Sequence, residues 1–273
     1  MVAVSGMTST ARRASNSKAM SGFARLGLAA RGFTYLVIGW LAIQIALGHR
    51  HHAADQRGAL AEVAHQSYGV FLLWILAVGF AAYAIWRLSE AAFGTAAEGR
   101  EAGPRLKSLV RGVIYASLCV TTFSFISGRR AGQSQRQQQV TLTARLMKHD
   151  AGRWLVGLVG LIVIVVGLGM VIEGARRKFE KDLRMGELRG NTRSLVVRLG
   201  MVGTIARGIV FTVAGGLVLD AAVSYKPSKS TGLDGALRTL ADRPYGPWLL
   251  GILAVGLVAF GVYGFAAARW AKT

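Results

Sequence analysis

The chain has 273 residues; 52% are apolar and only 17% are charged. Its apolar residues are gathered into six long runs with almost no charge, each roughly the span of a bilayer core. That pattern excludes a soluble globule and a disordered chain, and the single cysteine, Cys119, excludes a disulfide scaffold. The formal net charge of +20 would suggest nucleic acid in a soluble protein. Here it reads as cytosolic flanks of membrane helices meeting anionic lipid, and no nucleic-acid partner is expected.

Taken in chain order, residues 1–24 are rich in Ser, Ala, Thr and basic side chains and lack a run apolar enough for a signal-peptide core. They read as a disordered basic cytosolic tail. The apolar runs predict spans at about 31–48, 70–91, 109–127, 154–174, 201–223 and 248–268. With both termini inside, the inner segments hold five, five, nine and two Lys and Arg, and the outer loops two, six and four. The positive-inside bias therefore predicts cytosolic termini in a bacterial plasma membrane. The six cations of the third-to-fourth connection, Arg129, Arg130, Arg136, Arg145, Lys148 and Arg153, run against that bias. The same stretch is rich in Gln and reads as a polar, mobile loop.

The chain repeats itself. Residues 68–79 read YGVFLLWILAVG and residues 245–256 read YGPWLLGILAVG, nine matches in twelve at an offset of 177. The same offset sets Gly58, Ala59 and Leu60 on Gly235, Ala236 and Leu237, and suggests short outer-loop helices at 58–65 and 235–241. The odd-numbered spans open with Arg-Gly-x-x-Tyr/Phe: Arg31 to Tyr35, Arg111 to Tyr115, Arg207 to Phe211. A small residue follows eight positions after each Arg: Gly39, Cys119, Gly215. Setting Phe71 on Trp154 aligns Glu90 with Glu173, whereas the third copy has Ala267. Three two-helix units result: 25–94, 105–174 and 198–273. Each enters the membrane in the same orientation, which predicts a pseudo-threefold bundle of parallel repeats.

The triple Arg-Gly-x-x-Tyr/Phe and the Gly-Ala-Leu…Tyr-Gly loop resemble a bacterial membrane family catalogued as a domain of unknown function, number twelve-hundred-and-six. The resemblance covers residue 24 to the C-terminus. The second copy departs most, its loop lacking Gly-Ala-Leu and Tyr-Gly. The resemblance implies a six-helix plasma-membrane protein and no particular activity.

Few residues carry recognisable chemistry. Arg31, Arg111 and Arg207 are expected near the cytosolic boundary, either as interface anchors and ion-pair partners or as a layer of three guanidinium groups that could hold a phosphate or lipid head group. Glu90 and Glu173 are expected at similar depth, paired with two of those arginines. Pairing is the preferred reading because intramembrane charges pair by default. A second polar layer, Gln44, Ser124 and Asp220, follows thirteen residues after each Arg, toward the outer leaflet, where Asp220 could mark a cation site or simply a helix end. Ser117, Thr121 and Ser124, and likewise Gly208, Thr212 and Gly216, lie at packing-seam spacing. His49, His51 and His52 with Asp55 match no metal-ligand spacing, so neither a metal nor a cofactor is expected. No catalytic set is found. The expectation is an all-α, six-helix membrane protein that acts as a non-enzymatic accessory or structural component against another membrane complex or lipid. The alternative is a carrier or channel for a small anion or lipid, built on Arg31, Arg111 and Arg207.

Overall fold

A computed structural model describes residues 18–49, 53–93, 102–127, 135–148 and 150–271. Those residues are almost wholly helical: α1 (Lys18–Ala46), α2 (Gln56–His65), α3 (Gly69–Phe93), α4 (Ala102–Ile126), α5 (Gln135–Leu146), α6 (Asp150–Ala175), α7 (Gly190–Val223), α8 (Gly232–Ala241) and α9 (Gly246–Trp270). Six of them, α1, α3, α4, α6, α7 and α9, are long and apolar enough to cross a membrane. They form three successive two-helix repeats, each with a short helix in the connection between its two spans.

Two boundaries and one connection differ from expectation. The first span begins at Lys18 rather than near Arg31, because Ala24, Gly27 and Ala30 are buried and continue the helix inward. Residues 18–24 of the expected tail are thus helical, and residues 1–17 lie outside the described residues. The fifth span begins at Gly190. The glutamine-rich connection holds a helix, α5, where a loop was expected. The end of α1 has a plain local cause. Gly48 takes φ +90, and the His49 N–H donates to the Gln44 carbonyl at 2.8 Å, a glycine C-cap that satisfies the last carbonyls.

The described residues fall into two compact units. One lies within Met1–Arg31, Val63–Arg130 and Gly264–Thr273, the other within Gly32–Glu62 and Ala131–Tyr263. Inside them a single helix-pairing rule recurs. The Gly of each Arg-Gly motif and the small residue seven positions later lie on one face and meet the even-numbered span of a neighbouring repeat. In α7, a Cβ at Gly215 would come 2.7 Å from the Ile164 nitrogen of α6, and one at Gly208 would come 2.7 Å from the Gly167 carbonyl oxygen. In α1, a Cβ at Gly39 would come 2.9 Å from the Val258 nitrogen of α9, and one at Gly261 2.8 Å from the Gly32 carbonyl oxygen. In α4, Gly112 meets Leu88 of α3 and the Cys119 thiol donates to the Ala77 carbonyl at 3.5 Å. Gly160, Gly167 and Gly174, one heptad apart, extend the α6–α7 seam. Van der Waals contact between close backbones is what holds helices together where lipid removes the hydrophobic drive. The seam on α7 runs through Gly208, Thr212 and Gly215; Gly216, expected on it, has nothing within 4 Å.

A second kind of contact joins the two helices of one repeat. Gly27 and Ala30 of α1 meet Tyr83 and Gly79 of α3. Gly203 and Ala206 of α7 meet Phe260 and Gly256 of α9.

The connections within the repeats are also tied together. The Asp234 carboxylate of α8 accepts the Ala54 N–H at 3.0 Å, ahead of α2. The Gln135 amide of α5 donates to Gln56 of α2 at 3.1 Å, and the Thr143 hydroxyl donates to Ser230 at 3.0 Å. These contacts, remote in sequence, order α5. Arg153 of α6 donates to the Ala222 carbonyl at 3.0 Å and to the Tyr225 hydroxyl. Arg153, one of the cations that run against the expected charge bias, thus serves as a cap on the C-terminal end of α7.

Candidate functional site: buried arginines against aromatic rings

The polar groups of the membrane-spanning helices gather in two places, one in each unit. In the first unit, Tyr83 of α3 is fully buried and meets Tyr115 of α4 at a tilt, ring centroids 4.4 Å apart. One turn on, Arg87 donates from Nε and from one terminal nitrogen to the Tyr83 hydroxyl, both at 3.1 Å. Its other terminal nitrogen meets Glu90 Oε2 at 2.7 Å, and its guanidinium lies 4.0 Å from the Trp86 ring centroid. Glu90 Oε2 also accepts from the Ser108 hydroxyl of α4 at 3.1 Å. Arg105 closes the end of α3 by donating to the Ala91 carbonyl at 2.8 Å. Arg31 and Arg111 both lie within electrostatic range of Tyr83. Arg111 is exposed and Arg31 half-buried.

The expected partner of Glu90 was an arginine of the Arg-Gly motif. The ion pair found is with Arg87, three positions back on the same helix, where spacing places the two side chains side by side. Glu173 is half-buried and makes no ion pair among the described residues. The Tyr83, Arg87, Glu90 series at i, i+4, i+7 is a one-face helical pattern that the sequence displays and that the repeat motif does not include, because the other repeats do not share it.

In the second unit, Arg207 of α7 stands against three rings: Tyr35 at 5.2 Å, Phe211 at 5.1 Å and Phe260 at 5.0 Å from its guanidinium carbon. Tyr35 and Phe260 meet edge to face at 4.8 Å. The Arg207 Nε is buried without a hydrogen-bond partner among the described residues. Cation–π attraction from these rings therefore supports the half-buried cation. Tyr83 with Tyr115, and Phe260 with Tyr35, occupy equivalent places in their repeats. The aromatic residues of the motif are packing residues.

The outer polar layer does not assemble into a cation site. Asp220 is exposed and pairs with Lys229 at 2.8 Å. Ser124 donates to its own helix at Val120, and Gln44 is half-buried near the end of α1. His49 is exposed, and His51 and His52 lie outside the described residues. Among the described residues no group of three or more His, Cys, Asp or Glu is placed to hold a metal. Asp55 instead caps α2, accepting the Gly58 N–H at 2.8 Å. Burial pushes the Asp55 carboxyl above the usual range and neighbouring Asp234 adds to that, while the Gly58 N–H pulls the other way. Asp234 is itself buried and held by Arg238 Nε at 2.9 Å.

Three stretches of the chain, residues 26–94, 106–177 and 202–271, match the family described as Domain of Unknown Function (DUF1206). They coincide with the three two-helix units. The chain belongs to this family, and it is a multi-pass membrane protein of three internal repeats. It is also similar to the uncharacterized protein YxxB of Bacillus subtilis strain 168, 31% identical over 244 residues, covering 88% of this chain and 87% of that one. No solved structure matches it.

Proposed function

We propose that the protein is a non-enzymatic structural or accessory component of the bacterial plasma membrane, with both termini in the cytosol, that packs against another membrane complex or organises lipid. The observation that carries this reading is the internal use of its strongest polar groups. Arg87 is bound by Tyr83 and Glu90, Glu90 is shared with Ser108, and Arg207 rests on three rings. Groups consumed in this way hold helices together and are not poised to turn over a substrate.

The experiment is a gentle native purification from the source membrane, with mass spectrometry of every protein and lipid retained. A stoichiometric membrane-protein partner or a defined lipid shell supports the accessory role. A lone protein holding one tight anionic metabolite overturns it.

That second outcome belongs to the alternative, a carrier for a small anion or an anionic lipid. One feature favours it: Arg31, Arg87 and Arg111 all lie within electrostatic range of Tyr83, with Glu90 beside Arg87. On that reading, Arg111→Gln lowers the amount of retained anion while the purified protein keeps its melting temperature.

A further inference from the structure

The second repeat departs from its siblings one turn before its motif arginine. Four residues ahead of Arg31 and of Arg207 stand Gly27 and Gly203, each pressed against a neighbouring helix, Gly27 on Tyr83 and Gly203 on Phe260. The same place ahead of Arg111 holds Lys107. A long cation has no room in so close a seam, and Lys107 is exposed. Arg111 is exposed as well, whereas Arg31 and Arg207 are half-buried. Of the three motif arginines, that of the second repeat turns outward, and a second cation shares its face.

Lys107 and Arg111 lie four apart on α4, where like charges are neighbours and repel. The polar side chains beside them serve α3 instead. Arg105 donates to the Ala91 carbonyl at 2.8 Å, and Ser108 donates to Glu90, which Arg87 also holds. Lys107 makes no ion pair among the described residues. The rest of this outward face is apolar: Leu106, Val110, Val113 and Ile114 are all exposed.

The apolar span of α4, Arg105–Ile126, has 22 residues. It is therefore about 33 Å long, little more than the roughly 30 Å of hydrocarbon it must cross. Lys107 lies about 3 Å in from the start of that span and Arg111 about 9 Å. Helical side chains lean toward the N-terminus, here the boundary side, and long cations extend that way out of the hydrocarbon. Two positive charges thus come to one level above an apolar face, at the depth where phospholipid phosphates give way to acyl chains.

We infer that Lys107 and Arg111 hold the head-group phosphate of an anionic phospholipid whose acyl chains lie along Val110, Val113 and Ile114. The guanidinium offers paired N–H donors to phosphate oxygens, and the ammonium adds a compact second charge. Two cations favour a head group of net negative charge over a zwitterionic one. A free phosphate ion would answer the charges but leave the apolar face uncovered. The inference rests on the lipid-organising side of the proposed function and gives it a place.

The test titrates the full chain, in mild detergent, with phosphatidylglycerol, phosphatidylcholine or inorganic phosphate, and counts bound lipid by native mass spectrometry. The expected result is one phosphatidylglycerol per chain retained where phosphatidylcholine is lost, and not displaced by excess phosphate. Lys107→Gln and Arg111→Gln each weaken that binding about fivefold, and together more than about tenfold. Arg189→Gln with Arg193→Gln removes two exposed cations at the same spacing from polar surroundings and leaves the binding unchanged. Equal retention of the two lipids, displacement by phosphate, or equal loss in both double variants overturns the site. The lipid comparison on the unsubstituted protein decides even where a variant folds poorly. A lipid shell that persists without Lys107 and Arg111 overturns this site alone and leaves the accessory reading standing. A protein that retains neither lipid nor partner sinks both.

Discussion

Gly203 of α7 lies so close to α9 that an added Cβ would stand 2.5 Å from the Phe260 backbone nitrogen and Cα. A contact with backbone on the far side has no flexible side chain to move away, so the helices themselves must part. Gly203→Val is therefore expected to destabilise the protein by about 1–3 kcal/mol. Thermal unfolding in mild detergent checks this, with Gly216→Val as the comparison because open space surrounds that glycine. Equal melting temperatures for the two variants would contradict this packing.

Arg87 and Glu90 should respond as a pair. Their side chains are only 14% and 15% exposed. Removing one partner leaves a largely desolvated charge, at a cost of about 3–5 kcal/mol for a well-buried pair. Arg87→Leu and Glu90→Leu are each expected to lower the melting temperature sharply, and the double variant to lose less than the two losses added. A double-mutant cycle by denaturation reads the coupling directly; additive losses would mean that the pair is incidental.

Arg207 and Arg111 share a motif but not a surrounding. Arg207 stands against three rings, while Arg111 is exposed. Arg207→Gln forfeits cation–π attraction of about 1 kcal/mol at a half-buried site. Arg111→Gln, at an exposed position, should cost less than Arg207→Gln does. Parallel melts of the two purified variants decide it, and a larger loss at Arg111 would reverse the assignment.

Asp55 carries a pH dependence. Its carboxyl titrates above the usual aspartate range because it is buried, with Asp234 nearby. The folded state thus holds its proton more tightly than the unfolded chain does. The favourable contribution is complete at pH below the unfolded value and is lost as pH rises through the folded one. Asp55→Asn keeps an oxygen for the Gly58 cap and removes the charge. It should raise the melting temperature at pH 7 by about 2 °C or more, with the gain vanishing toward about pH 4. A gain of the same size at both pH values would point to packing, not ionisation.

The six spans, their division into three units and the short helices α2 and α8 were all legible in the amino-acid order. The paired strings at 68–79 and 245–256 are enough by themselves to mark equivalent places in the first and third units. The site was legible only in part. Arg31, Arg111 and Arg207 stand out by repetition, but the partners of Arg87 and Arg207 do not. The rings around Arg207 come from α1, α7 and α9, and no spacing rule joins Tyr35 to Phe260. Helix α5 was hidden for a related reason. Its glutamines favour no element strongly, and its order comes from Gln56, Ser230 and a tightly packed Gly232, where an added Cβ would run into the Gln139 side chain.

What the amino-acid order determined alone is the membrane commitment and the repeat. Transfer of an apolar run into lipid is a sum over neighbouring residues, and each run carries its own answer. Which helix lies on which was decided by the tertiary structure. A glycine permits close approach only where the facing helix also offers a small residue or bare backbone, as Gly160 and Gly215 do for each other and Gly39 does with Ala254. Such a match is a property of two remote segments together.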